Sequence, residues 1–205
     1  MIDKKNLHFK ILVICWLPLL LIIVDIFLDH LGPNPIRALH IRLGDWSLRF
    51  LWITLAITPI QVITNWRGMS DYRRMFGLFC FTYASLHLFV YLVMDQALQW
   101  QAIGQDILES TYIWFGVLAY IIIFLLAITT PNRSKKLMGK NWKKLHRFIY
   151  LASLLAILHY FLQLKGNLAL PFLYALILFI LLSFRLILVF KTRQVSKLML
   201  PKGRR

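Results

Sequence analysis

Long uncharged runs separated by short basic segments set the pattern of this chain. The runs are Ile11 to Leu28, broken by Asp25; Phe50 to Trp66; Met75 to Met94; Ser110 to Thr130; Phe148 to Leu164; and Gly166 to Phe190, broken by Arg185. A helix needs about 20 residues to cross a bilayer. Inside hydrocarbon it is also the form in which one segment satisfies all its own backbone groups. The pattern predicts an all-α integral membrane protein, a six-transmembrane-helix bundle with helices at about 11–28, 47–66, 75–94, 110–130, 147–164 and 168–190. No small-residue cleavage site follows the first run and another full span comes next, so that run is expected to stay as helix one rather than act as a signal peptide. Six spans fill most of the 205 residues. The chain, 1–205, is therefore expected to be a single transmembrane domain without a soluble nucleotide, flavoprotein or protease-type domain.

Composition agrees: 60% of residues are apolar, 15% aromatic and 16% charged, and the mean hydropathy is +0.68. The 24 Lys and Arg against 8 Asp and Glu give a net charge of +16, which in a soluble protein would first suggest nucleic acid. Here the basic residues fall between the spans, and topology explains them without nucleic acid. One side would carry Lys4, Lys5, Lys10, Arg67, Arg73, Arg74, Arg133, Lys135, Lys136, Lys140, Lys143, Lys144, Arg147, Lys191, Arg193, Lys197, Lys202, Arg204 and Arg205, against Arg37, Arg42, Arg49 and Lys165 on the other. That asymmetry places both termini in the cytoplasm. Arg185 is expected to snorkel to the cytoplasmic interface.

Between the first two spans, Asp29 to Asp45 contains Gly32-Pro33-Asn34-Pro35 and is expected to resist continuous helix and to be able to dock a partner. Trp46, Trp66, Trp100 and Trp142 fall near span ends, as an interfacial aromatic belt would place them. Cys15 and Cys80 lie inside apolar runs and read as small buried hydrophobes. No internal repeat, low-complexity tract or phosphate-cradling glycine loop is evident.

The six histidines separate by depth. His8, His30 and His40 lie near span ends or in loops and read as solvated or interfacial. His87 lies 13 residues beyond Arg74, and His159 lies 13 beyond His146. At 1.5 Å per residue both reach about 20 Å from the basic side, on helices three and five, which run in the same direction. Two imidazoles at one depth on two helices are what a bis-histidine haem needs. A membrane histidine also serves as a hydrogen-bond partner or in a proton relay. A coupled carrier would usually add a mid-span carboxylate, and none stands there, so redox chemistry gains. Small residues on the same helices, Gly77, Ala84, Ser85, Ala152, Ser153 and Ala156, suit a flat macrocycle or plain helix packing. His146 stands at the inner end of helix five, where a second haem could sit. Its level on helix three holds Arg73, Arg74 and Met75 instead of histidine, so its role as a ligand stays open.

Three stretches carry a resemblance: Gly44-Asp45-Trp46 leading to Leu55-Ala56-Ile57-Thr58-Pro59; Arg73-Arg74-Met75-Phe76-Gly77-Leu78 leading to Tyr83-Ala84-Ser85-Leu86-His87; and Leu137-Met138-Gly139-Lys140-Asn141-Trp142-Lys143-Lys144-Leu145-His146-Arg147 leading to His159-Tyr160. In their order they resemble the MsrQ (YedZ) family, the haem-binding membrane subunits of bacterial periplasmic methionine sulfoxide reductase systems, within the ferric-reductase-like transmembrane group. The resemblance implies a multi-pass b-type cytochrome of the inner membrane that takes electrons from membrane quinol or a cytosolic flavin reductase, with FMN as a family cofactor. It implies delivery to a periplasmic molybdopterin enzyme that repairs oxidised methionine in proteins. The family's haem-ligand positions fall on His87, His159 and His146, one haem b being expected and a second left open. Arg73 and Arg74 are candidates for an anionic cofactor or quinone site. Two alternatives stand beside this reading: a stand-alone quinol-oxidising or metal-reducing cytochrome, and a non-redox transporter or assembly factor.

The charge distribution generates a topological test. Cysteine labelling from outside should modify a probe at Asn34 and leave one at Lys136 untouched; the reverse pattern would overturn the orientation.

Overall fold

The computed structural model describes residues 4–164 and 166–199, without the side chains of Lys4, Arg67 and 192–199. Of the basic residues counted above, Lys165, Lys202, Arg204 and Arg205 therefore lie outside the described residues. The described chain is α-helical with no strand. Its helices are α1 (Lys4–Phe27), α2 (Pro35–Thr64), α3 (Ser70–Phe89), α4 (Trp100–Glu109), α5 (Thr111–Ile128), α6 (Asn132–Met138), α7 (Lys140–Leu145), α8 (Ile149–Gln163) and α9 (Ala169–Met199). α3 continues as a π-helical turn over Val90–Asp95, and α7 runs into α8 through a 3₁₀ turn at His146–Phe148. Six helical stretches are long and apolar enough to cross a membrane, as the hydropathy pattern predicts.

Helix two is longer than expected. The first connection closes within residues 28–34, and α2 begins at Pro35 rather than near residue 47. The proline supplies a helical φ at a position where no N–H is needed. Asn34 caps the end by accepting from the Arg37 N–H at 3.0 Å. The turn before it passes through Gly32 at φ +82, a region open to glycine. The added turns of α2 carry His40 and Gly44 into the bundle.

The helix pairs α2/α3 and α5/α8 make the most extensive contacts, and α3 joins α5 between them. α9 is anchored to α2 where Trp52 Nε1 donates to the Tyr174 carbonyl at 3.1 Å and Arg49 Nε donates to the Tyr174 hydroxyl at 2.9 Å. α1 is fixed at two levels. Asp25, the acid interrupting its apolar run, pairs with Arg42 of α2. Lower down, α1 carries Pro18 within the helix, where the ring removes a donor and crowds the preceding turn. The hydroxyl of Tyr83, a fully buried residue of α3, donates to the Cys15 carbonyl at 3.0 Å and accepts from the Leu19 N–H at 3.0 Å. Those two groups belong to one i to i−4 step of α1, so the neighbouring helix supports the backbone beside the proline, as a lipid-facing helix requires. Cys15 and Cys80 are both buried.

The connection between α3 and α5 forms α4, an amphipathic helix absent from the expected spans. Asp106 of α4 accepts from Tyr91 Oη at 2.9 Å and from Gln96 Nε2 at 3.1 Å, which ties the π turn to this connection. Tyr83→Phe keeps the ring, 5.2 Å from Phe50, and removes both hydrogen bonds to α1. It should cost about 1–2 kcal/mol of stability. Thermal unfolding in detergent checks this, and a melting temperature equal to the parent's would refute the bracing role.

Candidate functional site

The matched depth of His87 and His159 is realised as proximity. Their ring centroids lie 6.2 Å apart with the planes at 84°. His87 Nδ1 is 3.0 Å from the His40 carbonyl of α2, and His159 Nδ1 is 2.8 Å from the Tyr112 carbonyl of α5. A carbonyl only accepts, so in both rings Nδ1 carries a proton, and in the neutral imidazole Nε2 then keeps the lone pair. Iron–nitrogen bonds of about 2 Å, added to two imidazole radii of about 1.1 Å, put the centroids of two axial ligands about 6 Å apart. Two neutral imidazoles on separate helices, each oriented by its second nitrogen, fit a bis-histidine haem.

The two halves of this arrangement repeat. The ligand-to-carbonyl separation is 47 residues in both, and the second triplet, Tyr112, Gly116 and His159, follows the first, His40, Gly44 and His87, at an offset of 72. At that offset Ile41, Gly44, Thr58, Pro59, Phe76, Ala84, Leu86 and His87 recur as Ile113, Gly116, Thr130, Pro131, Phe148, Ala156, Leu158 and His159. The helix pairs α2/α3 and α5/α8 thus present the same ring-to-carbonyl arrangement at one offset. The identities are too sparse to stand out until the geometry gives the offset. His40, expected to be interfacial, belongs to this region. Its carbonyl holds His87, its ring stands edge-on to that of His87 at 5.2 Å, and its Nε2 lies 3.9 Å from Asp95.

At the basic end, the residue at offset 72 from His146 is Arg74. The structure does not bring a second imidazole to His146. Its ring stacks on Trp142 at 3.9 Å, and its Nε2 lies 3.2 Å from Thr129 Oγ1. Trp142 is fixed in turn, Nε1 donating to the Thr129 carbonyl at 2.8 Å. The sharp step from α6 to α7 that brings Trp142 there passes through Gly139 at φ +50, a region glycine enters without strain.

Beside His146 opens a cavity of about 1080 Å³, lined by Arg73, Arg74, Lys135, Lys143, Arg147 and Arg185, with Asp71 the one acid among its described lining residues. That volume is at the upper end of small-molecule sites. Arg74 reaches Asn132 at 3.4 Å. Arg73 Nε is buried without a hydrogen-bond partner, a costly state for a cation. Arg185, expected to snorkel toward the basic end, lines the cavity there with its guanidinium 6.0 Å from the Tyr150 ring.

Residues 43–157 match the family described as ferric reductase like transmembrane component. The chain is 40% identical over 197 residues to the protein-methionine-sulfoxide reductase heme-binding subunit MsrQ of Rhodospirillum rubrum, covering 95% of each chain. It is 42% identical over 157 residues to the MsrQ subunit of Xanthomonas euvesicatoria, covering 77% of this chain and 72% of that one. With the MsrQ subunit of Azospira oryzae the identity is 39% over 161 residues, or 78% and 69% of the two chains. No solved structure matches. The chain belongs to the ferric reductase like transmembrane family and, within it, to the family of MsrQ subunits.

Proposed function

We propose that this protein is a haem b electron conduit of the bacterial inner membrane, serving a periplasmic methionine sulfoxide reductase subunit. The observation that carries the reading is the His87–His159 pair, 6.2 Å apart, each Nδ1 on a backbone carbonyl and each Nε2 left as the basic nitrogen. These two imidazoles would hold the haem. Bound there, haem supplies one-electron transfer, and the protein supplies ligands, position and a low-dielectric surround.

The cavity at the basic end is the entry side. Arg73, Arg74, Arg185 and Lys143 surround a space with little negative charge to balance them, and His146 with its Trp142 stack offers a flat wall. That chemistry selects a planar anion, and FMN, with its aromatic ring system and phosphate, fits better than a second haem lacking an opposed histidine. FMN supplies the step between a two-electron donor and a one-electron carrier. Cys80 lines the same cavity and lies seven residues, or about 10 Å of helix, from His87. The donor reaching the cavity is a cytosolic flavin reductase or membrane quinol. The acceptor is the molybdopterin subunit outside, docked at the end bearing residues 28–34 and α4.

In the purified protein a Soret band should shift on dithionite reduction, and His87→Ala or His159→Ala should abolish the low-spin signal without preventing insertion. A full low-spin spectrum in either variant would overturn the pairing. Arg73→Ala and Arg185→Ala should each weaken FMN retention about tenfold or more, since each removes a half-buried, charge-assisted contact; unchanged flavin fluorescence after dialysis would refute the cavity as its site. The reduced protein alone should not turn over a methionine sulfoxide, and adding the molybdopterin partner should reoxidise the haem. Turnover by the chain itself would reverse the assignment of roles.

A further inference from the structure

We propose that Gly44 and Gly116 are positioning residues for the two ligand imidazoles, each leaving the space that one ring occupies and holding its Nδ1 against the carbonyl one turn earlier on the same helix. This rests on the reading of His87 and His159 as haem ligands and extends it to the two glycines packed against their rings. A Cβ built on Gly116 would stand 2.8 Å from His159 Nδ1, 2.9 Å from Cε1 and 3.3 Å from Cγ. One built on Gly44 would stand 3.3 Å from both Cε1 and Nδ1 of His87. In each case the three nearest heavy atoms all belong to the imidazole, so the absent side chain makes room for a ring rather than for close approach of two backbones. The carbonyls that accept from the rings, on His40 and Tyr112, precede Gly44 and Gly116 by four residues, one helical turn. The same device thus occurs twice, at the 72-residue offset that relates the two helix pairs.

Gly77 sets the contrast within the same bundle. A Cβ there would meet Thr54 Cγ2 at 3.9 Å, an ordinary contact.

A methyl group at position 116 or 44 would push the ring from its seat and loosen the Nδ1–H bond to the carbonyl. That bond makes the imidazole a stronger donor and stabilises ferric iron, so loosening it should raise the reduction potential. The displaced ring plane should also alter the low-spin electron paramagnetic resonance spectrum. The overlap is deeper at 116, so the effect should be graded.

The test compares the purified haem-loaded parent with Gly44→Ala, Gly116→Ala, Gly77→Ala and His87→Ala, reading haem content, low-spin g-values and midpoint potential. Gly77→Ala should overlay the parent. Gly44→Ala should retain haem with shifted g-values and a raised potential, and Gly116→Ala should shift further or become partly high-spin. If Gly116→Ala fails to insert, Gly44→Ala, which needs only a few tenths of an ångström of adjustment, decides the matter. Spectra and potentials of Gly44→Ala and Gly116→Ala matching Gly77→Ala, with the low-spin signal lost in His87→Ala, would overturn the positioning role and leave the ligand pair standing. Persistence of the low-spin signal in His87→Ala would overturn the ligand pair itself, and the positioning role with it.

Discussion

A hydrocarbon surround offers no partner to a polar group, so every N–H and O–H that the spans carry inward has to find its acceptor in the protein. Backbone carbonyls meet this demand because an acceptor already engaged in the helical ladder has a second lone pair. The imidazoles of His87 and His159 use the carbonyls of His40 and Tyr112. Trp52 and Trp142 use those of Tyr174 and Thr129. The Tyr83 hydroxyl uses that of Cys15. The same requirement explains why the ring nitrogens are distinguished: once Nδ1 has a carbonyl, Nε2 is the nitrogen of the neutral ring left for chemistry.

The two helix pairs keep this device at one end and diverge at the other. Where the second pair has His146, the first has Arg74, and the space between them is bordered by cations from α3, α6, α7, the turn at His146–Phe148 and α9. Basic residues at a span end are ordinary anchors when water hydrates them. Burial changes their meaning, because a guanidinium N–H removed from water without an acceptor carries a desolvation cost that an arriving anion relieves. Arg73, whose Nε is buried and unpaired, is the residue at which anchoring ceases to be a sufficient account.

Much of this was legible in the sequence. Six apolar runs give six spans because length and hydropathy are local properties. The closeness of His87 and His159 was legible because equal distances from a shared boundary become equal depths in parallel helices. What the sequence concealed depends on contacts between helices. Gly32-Pro33-Asn34-Pro35 looked like the core of a long irregular loop, yet Pro35 also starts a helix well, and with the Asn34 cap it does. α4 falls outside the spans because it is short and amphipathic rather than uniformly apolar. Gly44 and Gly116 look like any small residue in a span until an imidazole is found within 3.3 Å or less of the missing Cβ.

The placement of the cysteines bears on how work is divided between this chain and a partner. A thiol that reduces a sulfoxide has to be reachable and partly ionised. Cys15 and Cys80, the two that the chain possesses, are instead buried within α1 and α3, near the Tyr83 brace and against Ser47 Oγ respectively. They serve packing. Among the described residues, the segments at the end opposite the basic cavity are the turn at 28–34, α4 with its flanks, and residues 166–168. α4 is held by Asp106 to the π turn that extends α3, the helix carrying His87. Its exposed Trp100 and Leu108 are therefore tied through Asp106 to the helix that carries His87, so a load placed on this outer face is borne by the same helix that positions that imidazole.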